Sequence, residues 1–252
     1  MKVTTAALQR YRDTLKRQLH RVELPVLILI ALVAVGVWVF AAVADAVLEG
    51  AWRAVDVAVI VAMRNPANLS DPIGPRWVEE MARDFTALGG VAVLLTLTLA
   101  TVGYLILAER RRIAVFVLVA VCGGMVLSSL FKTAFDRPRP ELVPHLSYVY
   151  STSFPSGHSM MSAVTYLTLG TLLARIHKRR AVKIYFLGLA TLLTLAIGIS
   201  RVYLGVHWLT DVVAGWAAGA TWAILCWLVA LWLQQRRVVE PEADTTAAPQ
   251  KT

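Results

Sequence analysis

Residues 113–140 read IAVFVLVAVCGGMVLSSLFKTAFDRPRP, an uncharged apolar run that ends at residue 131 and is followed at once by cations and prolines. A helix needs about 20 apolar residues to cross the hydrocarbon core of a membrane, and the run has nearly that length. The polar residues after it would therefore lie at the mouth of a membrane-spanning helix. This pattern predicts the fold, because the rest of the chain repeats it.

The whole chain is apolar, and its charges lie between long hydrophobic segments. Of the 252 residues, 58% are hydrophobic and 16% are charged, with a mean hydropathy of +0.63. Segments long enough, or nearly long enough, to span a membrane are 24–48, 85–108, 113–131, 159–175, 182–199 and 207–233. We therefore predict an all-α, polytopic membrane protein with six transmembrane helices. The first segment is expected to be a retained anchor, because no small-residue cleavage site follows its apolar core.

The distribution of Lys and Arg predicts the orientation in the membrane. If the amino terminus is cytoplasmic and six helices alternate, 17 of the 25 Lys and Arg residues lie on the cytoplasmic side. The positive-inside rule favours this arrangement, with both termini cytoplasmic. We expect the membrane to be a bacterial inner or cell membrane. The net charge of +9 is then a topology signal and a source of contacts with anionic lipids. We expect no nucleic acid partner, because no basic face carries interleaved aromatic residues.

The segments divide the chain into three regions. Residues 1–23 are predicted to form a basic cytoplasmic arm and 24–237 a six-helix membrane domain. Residues 238–252 have no apolar pattern and are predicted to be a disordered tail. Within the membrane domain, 49–84 is predicted to be an exterior cap or loop that either shapes substrate access or simply connects two helices. The sequence gives no indication of an oligomeric state.

Three cations lie at the exterior mouths of predicted helices: Lys132, Arg139 and Arg201. Arg offers a planar fork that binds two phosphate oxygens at once, and Lys offers a point charge. Alternatively, each cation reaches lipid headgroups from a helix end, as snorkelling side chains do. Snorkelling explains any one of these cations by itself. Three cations on one face beside two histidines favour a phosphate site instead.

The stretch Pro155-Ser156-Gly157-His158 is typical of a helix start. Ser156 is a good N-cap, and Gly157 allows the backbone to approach a ligand closely. Free backbone amides at a helix N-terminus bind anions. His158 would lie in the first turn, at the rim of such a site. Taken alone, an ordinary capped membrane helix with an incidental histidine explains the stretch equally well.

His207 and Asp211 are four residues apart at the exterior end of the last segment. This spacing puts both side chains on one helix face, where the carboxylate can accept the Nδ1 proton and leave Nε2 free to attack phosphorus. A hydrogen-bonded pair at a helix end is also a common structural feature. The pair points to catalysis because Arg201 lies six residues before His207, across a tight exterior turn.

Together these stretches resemble the motifs of the type 2 phosphatidic acid phosphatase family. Residues 132–140 resemble its first motif, Lys-six residues-Arg-Pro, and residues 155–158 its second, Pro-Ser-Gly-His. Residues 200–211 resemble the third, Ser-Arg-five residues-His-three residues-Asp. All three motifs are complete and in the family's order. Asp136 and Arg137 occupy positions that the first motif leaves free, and we interpret them as loop structure or headgroup contacts.

The resemblance implies a role for each matching residue. His207 would be the nucleophile that forms a phosphohistidine, Asp211 its orienting partner, and His158 the acid that protonates the leaving group. The implied substrate-binding residues are Lys132, Arg139, Ser156, Gly157 and Arg201. The resemblance implies neither a metal nor a cofactor, and the sequence has no Asp/Glu cluster of divalent-metal type near these motifs.

We therefore predict a metal-independent lipid phosphatase that acts at the exterior or periplasmic face. Its substrate would be a phospholipid or polyprenyl phosphate, namely undecaprenyl diphosphate, phosphatidylglycerophosphate, phosphatidic acid or a lipid A phosphate. Two alternatives stay open: transfer of the phosphoryl group to another lipid, and a non-catalytic protein that binds or transports anionic lipids. Transporters usually place charge near the membrane midplane, whereas these charges lie at one surface. Related haloperoxidases that hold vanadate on this constellation are soluble, so the predicted spans argue against that chemistry.

Overall fold

The computed structural model describes the backbone of residues 5–147 and 151–235 and the side chains of residues 24–147 and 151–234. Over these residues the fold is mostly α-helical, with one short β-hairpin. The helices are α1 (Thr5–Leu48), α2 (Arg53–Ala62), α3 (Arg76–Leu88), α4 (Val91–Leu107), α5 (Arg111–Phe135), α6 (Gly157–Ile176), α7 (Arg180–Tyr203) and α8 (Leu209–Gln235). The strands β1 (Arg64–Asn65) and β2 (Asn68–Pro72) pair antiparallel between α2 and α3.

Several helices are long and apolar enough to cross a membrane. Four qualify singly: residues 24–48 of α1, and the helices α5, α7 and α8. A fifth candidate is α3 together with α4, two helices that meet at an angle of 46°. The prediction of a helical integral membrane protein is confirmed, with four or five candidate spans. The second predicted span, 85–108, falls on this bent pair: it covers the end of α3, the Gly89–Gly90 turn and α4.

The helix α6 is less apolar than these candidates because it lies inside the bundle. Its polar side chains Ser159, Ser162, Thr165 and Thr168 are all buried. The helix packs most extensively against α7 and α8 and also contacts α5. A membrane helix that is enclosed by protein can carry polar residues that a lipid-facing helix cannot. Its composition therefore reflects its central position.

Close packing of α6 on α8 sets the position of the polar end of the bundle. A Cβ atom added at Gly215 of α8 would lie 2.7 Å from the Ser156 carbonyl oxygen, so a larger residue would push the helices apart. The Ser156 N–H donates to the Asp211 carbonyl oxygen at 2.9 Å. The start of α6 and the first turn of α8 are thereby fixed side by side.

The region 49–84 folds as α2, the hairpin and most of α3. The hairpin departs from the all-α prediction, and its turn residues explain it. Asn65 Oδ1 accepts from the Ala67 N–H, and Asn68 Oδ1 accepts from the Ser70 N–H, both at 3.1 Å. Such local bonds favour turns over helix. The helix α3 packs against α7, so this region rests on the helix that carries Arg201.

The predicted arm and the predicted first span form one helix. The helix α1 runs from Thr5 to Leu48 and contains Pro25. The predicted tail, 238–252, lies outside the described residues.

Candidate active site

The three predicted motifs meet at one end of the helix bundle. Lys132 lies in the last turn of α5 and Arg201 in the last turn of α7. Gly157 opens α6, and Asp211 lies in the first turn of α8. Arg139 reaches the same place from the loop between α5 and α6, where it contacts His207. Residues that are up to 79 positions apart in the chain, Lys132 and Asp211, thus belong to one site.

The spacing of His207 and Asp211 predicts that both residues lie in the last helix. In the structure, His207 instead lies in the turn before α8. The helix α8 begins at Leu209, yet His207 Nδ1 is 3.3 Å from Asp211 Oδ2. The two side chains stay in contact although His207 lies outside the helix, because the Trp208 N–H also donates to Asp211 Oδ2, at 3.0 Å, and holds this carboxylate at the helix start. A carboxylate in the first turn that reaches back to the N-cap amide closes the helix start, as in a capping box. Asp211 therefore holds both its own helix start and the histidine.

The surroundings of His207 select one neutral tautomer. An ionised Asp211 only accepts, so it favours a proton on Nδ1. Nε2 is 3.2 Å from Arg139 NH1, which only donates, so Nε2 carries the lone pair and accepts from this group. Burial lowers the pKa of His207, and the hydrogen bond to Asp211 opposes that shift only in part. The imidazole is therefore neutral, with its lone pair on Nε2.

Arg139 is held by neutral groups. Its Nε donates to the Ser151 carbonyl oxygen at 2.8 Å, and its NH1 donates to the Val206 carbonyl oxygen at 2.7 Å. Burial lowers the pKa of Arg139, and the nearby Asp211 charge opposes the shift. A guanidinium stays charged even so. Arg139 thus places a partly buried positive charge next to Nε2 of His207.

Lys132 and Arg201 are likewise held without a carboxylate. Lys132 Nζ donates to the Thr152 carbonyl oxygen at 2.8 Å. Arg201 is only 2% exposed, and its NH1 donates to Thr86 Oγ1 at 2.8 Å, while its Nε has no partner among the described residues. In this part of the chain no carboxylate lies within ion-pair distance of the three motif cations. Of the three, Arg201 is buried, and Lys132 and Arg139 are partly buried. Buried charges in proteins are normally paired, so a group of cations without carboxylate partners is suited to an anionic ligand.

The start of α6 faces the same cations. Ser156 is the N-cap, as predicted, and its Oγ accepts from the Ser159 N–H at 3.4 Å and from the Ser159 hydroxyl at 2.9 Å. The Gly157 amide, in the first turn, has no acceptor within the helix. A Cβ atom added at Gly157 would lie 3.4 Å from Lys132 Cε, so this amide is close to a motif cation. His158 interacts electrostatically with His207 and with all three cations.

An ion-pair network behind Asp211 was missed by the sequence analysis. The Arg137 side chain is 11% exposed, and its NH1 donates to Asp211 Oδ1 at 2.5 Å. Its NH2 donates to Asp56 Oδ2 at 2.8 Å. Asp56, on α2, is fully buried and also accepts from the Thr210 N–H at 3.0 Å and the Thr210 hydroxyl at 2.7 Å. The interpretation of Arg137 as a headgroup contact is wrong, because this side chain is turned inward to two carboxylates.

A signal for this network was present in the sequence. Asp56 is the one carboxylate in the apolar stretch from Val55 to Met63. A carboxylate on an apolar helix needs a partner when it is buried. Ser153, also missed, donates from its hydroxyl to Asp211 Oδ2 and lies in the loop between α5 and α6. The region 49–84 is therefore more than a connection, since its Asp56 holds Arg137 behind Asp211.

The carboxylates are not arranged as a metal site. Over the described residues, no three His, Cys, Asp or Glu side chains are grouped to hold a metal ion. Asp56 and Asp211 share Arg137 instead. The arrangement groups three cations, helix amides and a neutral imidazole, a set of groups suited to binding an anion. The molecule is thus a helical membrane protein with two histidines and three cations gathered at one end of its bundle.

Comparison with known proteins identifies the family. The chain belongs to the PAP2 superfamily, whose family model matches residues 113–235. Over 147 residues it is 31% identical to phosphatidylglycerophosphatase B of Bacillus subtilis, covering 57% of this chain and 70% of that protein. Over 185 residues it is 26% identical to a lipid A 1-phosphatase of Rhizobium etli, covering 63% and 75% respectively.

A solved structure has a similar fold. The crystal structure of a transmembrane PAP2 type phosphatidylglycerolphosphate phosphatase from Bacillus subtilis matches with a TM-score of 0.66 and 27% identity. The match covers 81% of this chain and 96% of that one. The predicted family resemblance and the predicted class of enzyme, a phosphatase, are both confirmed.

Proposed function

We propose that this protein removes phosphate from a membrane lipid monoester or diphosphate through a phosphohistidine formed on His207. One observation carries the proposal: His207 presents Nδ1 to Asp211 and Nε2 to Arg139. A nucleophile that is oriented by a carboxylate and placed beside uncompensated cations suits attack on an anionic phosphorus centre. Family membership supports the same chemistry.

In the first step, the Nε2 lone pair forms a bond to phosphorus as the bond from phosphorus to the leaving oxygen breaks. His158, protonated when the phosphate anion is bound beside it, gives its proton to that oxygen. Asp211 stabilises the imidazolium, as the carboxylate of a catalytic triad does. Lys132, Arg139 and Arg201, with the amide of Gly157, hold the phosphoryl oxygens. Ser156 fixes the helix start that supplies this amide.

In the second step, water attacks phosphorus and gives a proton to His158. The nitrogen–phosphorus bond breaks, inorganic phosphate leaves, and His207 returns to its neutral form. The atoms balance, because one water is consumed for each phosphate released. In this scheme the three cations and the helix amide stabilise the charge that a divalent metal stabilises in other phosphatases.

The substrate class is a phospholipid or polyprenyl phosphate. A lipid keeps its tails among the helices while its phosphate reaches the polar end of the bundle. Similarity to a phosphatidylglycerophosphatase and to a lipid A 1-phosphatase supports substrates of this kind. Undecaprenyl diphosphate and phosphatidic acid present the same phosphate groups to the site and complete the set of candidates.

The same proposal includes a six-span topology with α6 as the enclosed span. Both termini are cytoplasmic, and the site faces the exterior or periplasm. Region 1–23 is the basic arm, 24–237 the membrane domain with the cap at 49–84, and 238–252 the tail. Support comes from Arg110–Arg112 and Arg175–Lys183, basic stretches at the helix ends opposite to the site. Thiol labelling of cysteines placed at 139 and 207 tests it, because labelling of the two from opposite sides of the membrane would exclude this arrangement.

Phosphate release from a panel of purified lipids tests the function. The full-length protein in detergent is compared with His207→Ala and with the matched control His145→Ala, which replaces a histidine bonded to the Pro140 carbonyl. Wild type and control should release phosphate, and His207→Ala should not. Equal release from all three would overturn the nucleophile. Labelled phosphate found on a second lipid indicates transfer, and no release from any protein indicates binding alone.

A further inference from the structure

A cavity lies at the end of the bundle opposite to the candidate active site. It is a cleft of about 1860 Å³ between α4, α5, α6 and α8. Lining residues such as Tyr104, Val115 and Leu173 are exposed, so the cleft opens onto the outer surface of the helices. Clefts that take drug-sized ligands measure about 300–1,000 Å³, so this one accommodates something larger.

The cleft is as deep as one leaflet of a membrane. Its α8 wall runs from Trp222 to Gln234, and its α4 wall from Leu97 to Ala108. At 1.5 Å per residue, each wall is roughly 17 Å long. Half of a hydrocarbon core is about 15 Å thick. The apolar part therefore fits the acyl chains of a lipid in the surrounding leaflet.

The mouth of the cleft is strongly basic. The cations that line it are Arg110, Arg111, Arg112, Arg175, Lys178 and Lys183. No Asp or Glu is among its lining residues in the described part of the chain. Arg175 is held in position there: its NH2 donates to Gln234 Oε1 at 2.8 Å, and its guanidinium lies 5.1 Å from the Trp227 ring centre. The mouth thus complements a negatively charged headgroup above an apolar body.

We propose that this cleft is a binding site for an anionic phospholipid of the leaflet around this end of the bundle. The site is separate from the active site, because the 20 residues of α6 between them span about 30 Å. The proposal rests on the cleft and its cations and not on the proposed function. A general preference for cations on one membrane side does not account for their convergence on an apolar cleft of leaflet depth.

The chain offers a matched pair of variants to test the proposal. Arg112 and Lys183 line the cleft, whereas Arg179 and Arg180 lie between Lys178 and Lys183 in the chain but do not line it. The double variants Arg112→Gln/Lys183→Gln and Arg179→Gln/Arg180→Gln remove the same charge. A third variant, Ala100→Trp, fills the apolar wall without changing charge.

Native mass spectrometry of the full chain, titrated with phosphatidylglycerol or phosphatidylcholine, measures binding. Phosphatidylglycerol is suitable because its phosphate is a diester, which this phosphatase chemistry does not attack. A cation near an anionic lipid surface contributes about 1 kcal/mol, so the first double variant should bind phosphatidylglycerol about 30-fold more weakly. The second double variant should bind as wild type does, and Ala100→Trp should retain less lipid.

Three results would contradict the proposed binding site for an anionic phospholipid. Phosphatidylcholine that binds as tightly as phosphatidylglycerol would remove the role of charge. Equal weakening by the two double variants would indicate a diffuse surface attraction. Inorganic phosphate that displaces the lipid at equal concentration would indicate a soluble anion as the ligand. Phosphatase activity of all three variants on one monoester lipid checks that each is folded, since none lies near the active site.

Discussion

Arg137 and Arg139 are two residues apart in one loop, yet their surroundings are opposite. Arg137 donates to the carboxylates of Asp56 and Asp211. Arg139 donates to backbone carbonyls and to His207, with no carboxylate within ion-pair distance among the described residues. The charge of Arg137 is compensated by two carboxylates of the protein, whereas the charge of Arg139 is not compensated by any carboxylate among the described residues.

The difference separates a supporting half of the site from a binding half. Burial of a charge costs several kcal/mol unless a partner compensates it. In the supporting half, Arg137 compensates Asp56 and Asp211 and fixes the carboxylate behind His207. In the binding half, Lys132, Arg139 and Arg201 lack that compensation from any described carboxylate, and in the proposed function a phosphate dianion supplies it. Substitutions on the two halves should therefore have different consequences.

The largest loss of activity is expected when the hydrogen bond between Asp211 and His207 is altered. Asp211→Asn keeps the shape of the side chain but no longer favours the proton on His207 Nδ1. Turnover should fall about 10⁴-fold, as in a triad with the wrong tautomer, while substrate binding is kept. Steady-state kinetics with an equilibrium binding assay checks this. Weakened binding with unchanged turnover would contradict it.

Loss of a cation from the binding half should reduce catalysis without reducing stability. Arg139→Gln removes a donor next to the reacting phosphate, so turnover should fall about 10²–10³-fold. Its melting temperature in detergent should stay the same or rise, because a partly buried charge without a carboxylate partner is removed. A clear drop in melting temperature would show that Arg139 is structural.

Loss of the neighbouring cation, Arg137, should lower the stability of the fold, unlike loss of Arg139. Arg137→Gln leaves Asp56 and Asp211 as uncompensated buried carboxylates, which destabilises the fold by about 3–5 kcal/mol. Thermal unfolding beside Arg139→Gln, which deletes the same charge, provides the matched control. Equal stability of the two variants would remove the distinction between the two halves.

The smallest expected effect is a difference between two substrates in how much activity is lost when His158 is replaced. A phosphate leaving group is a weaker base than an alkoxide and needs less protonation, so His158→Ala should slow diphosphate cleavage less than monoester cleavage. Rates for undecaprenyl diphosphate and phosphatidic acid, measured on one preparation, give the comparison. Equal losses on both substrates would count against His158 as the general acid.

Local features of this molecule were predictable, and contacts between distant segments were not. The apolar run that ends at residue 131 predicts α5, and the Ser156 N-cap predicts the start of α6. The position of His207 outside α8 depends on Asp211 closing the helix start, which spacing alone does not reveal. Arg137 and Asp56 are 81 residues apart, so neither residue indicates its partner. Only the isolated carboxylate in an apolar stretch signals that some partner exists.

Trapping of the covalent intermediate is the direct test of a phosphohistidine on His207. Full-length wild type, His158→Ala and His207→Ala are mixed with a diphosphate lipid radiolabelled on the terminal phosphate and quenched in alkali, where phosphohistidine survives. Label should be found on the peptide that contains His207, with more in His158→Ala because water attack is slowed, and none in His207→Ala. Label that persists in His207→Ala, or that is absent from His158→Ala while phosphate is still released, would contradict the account.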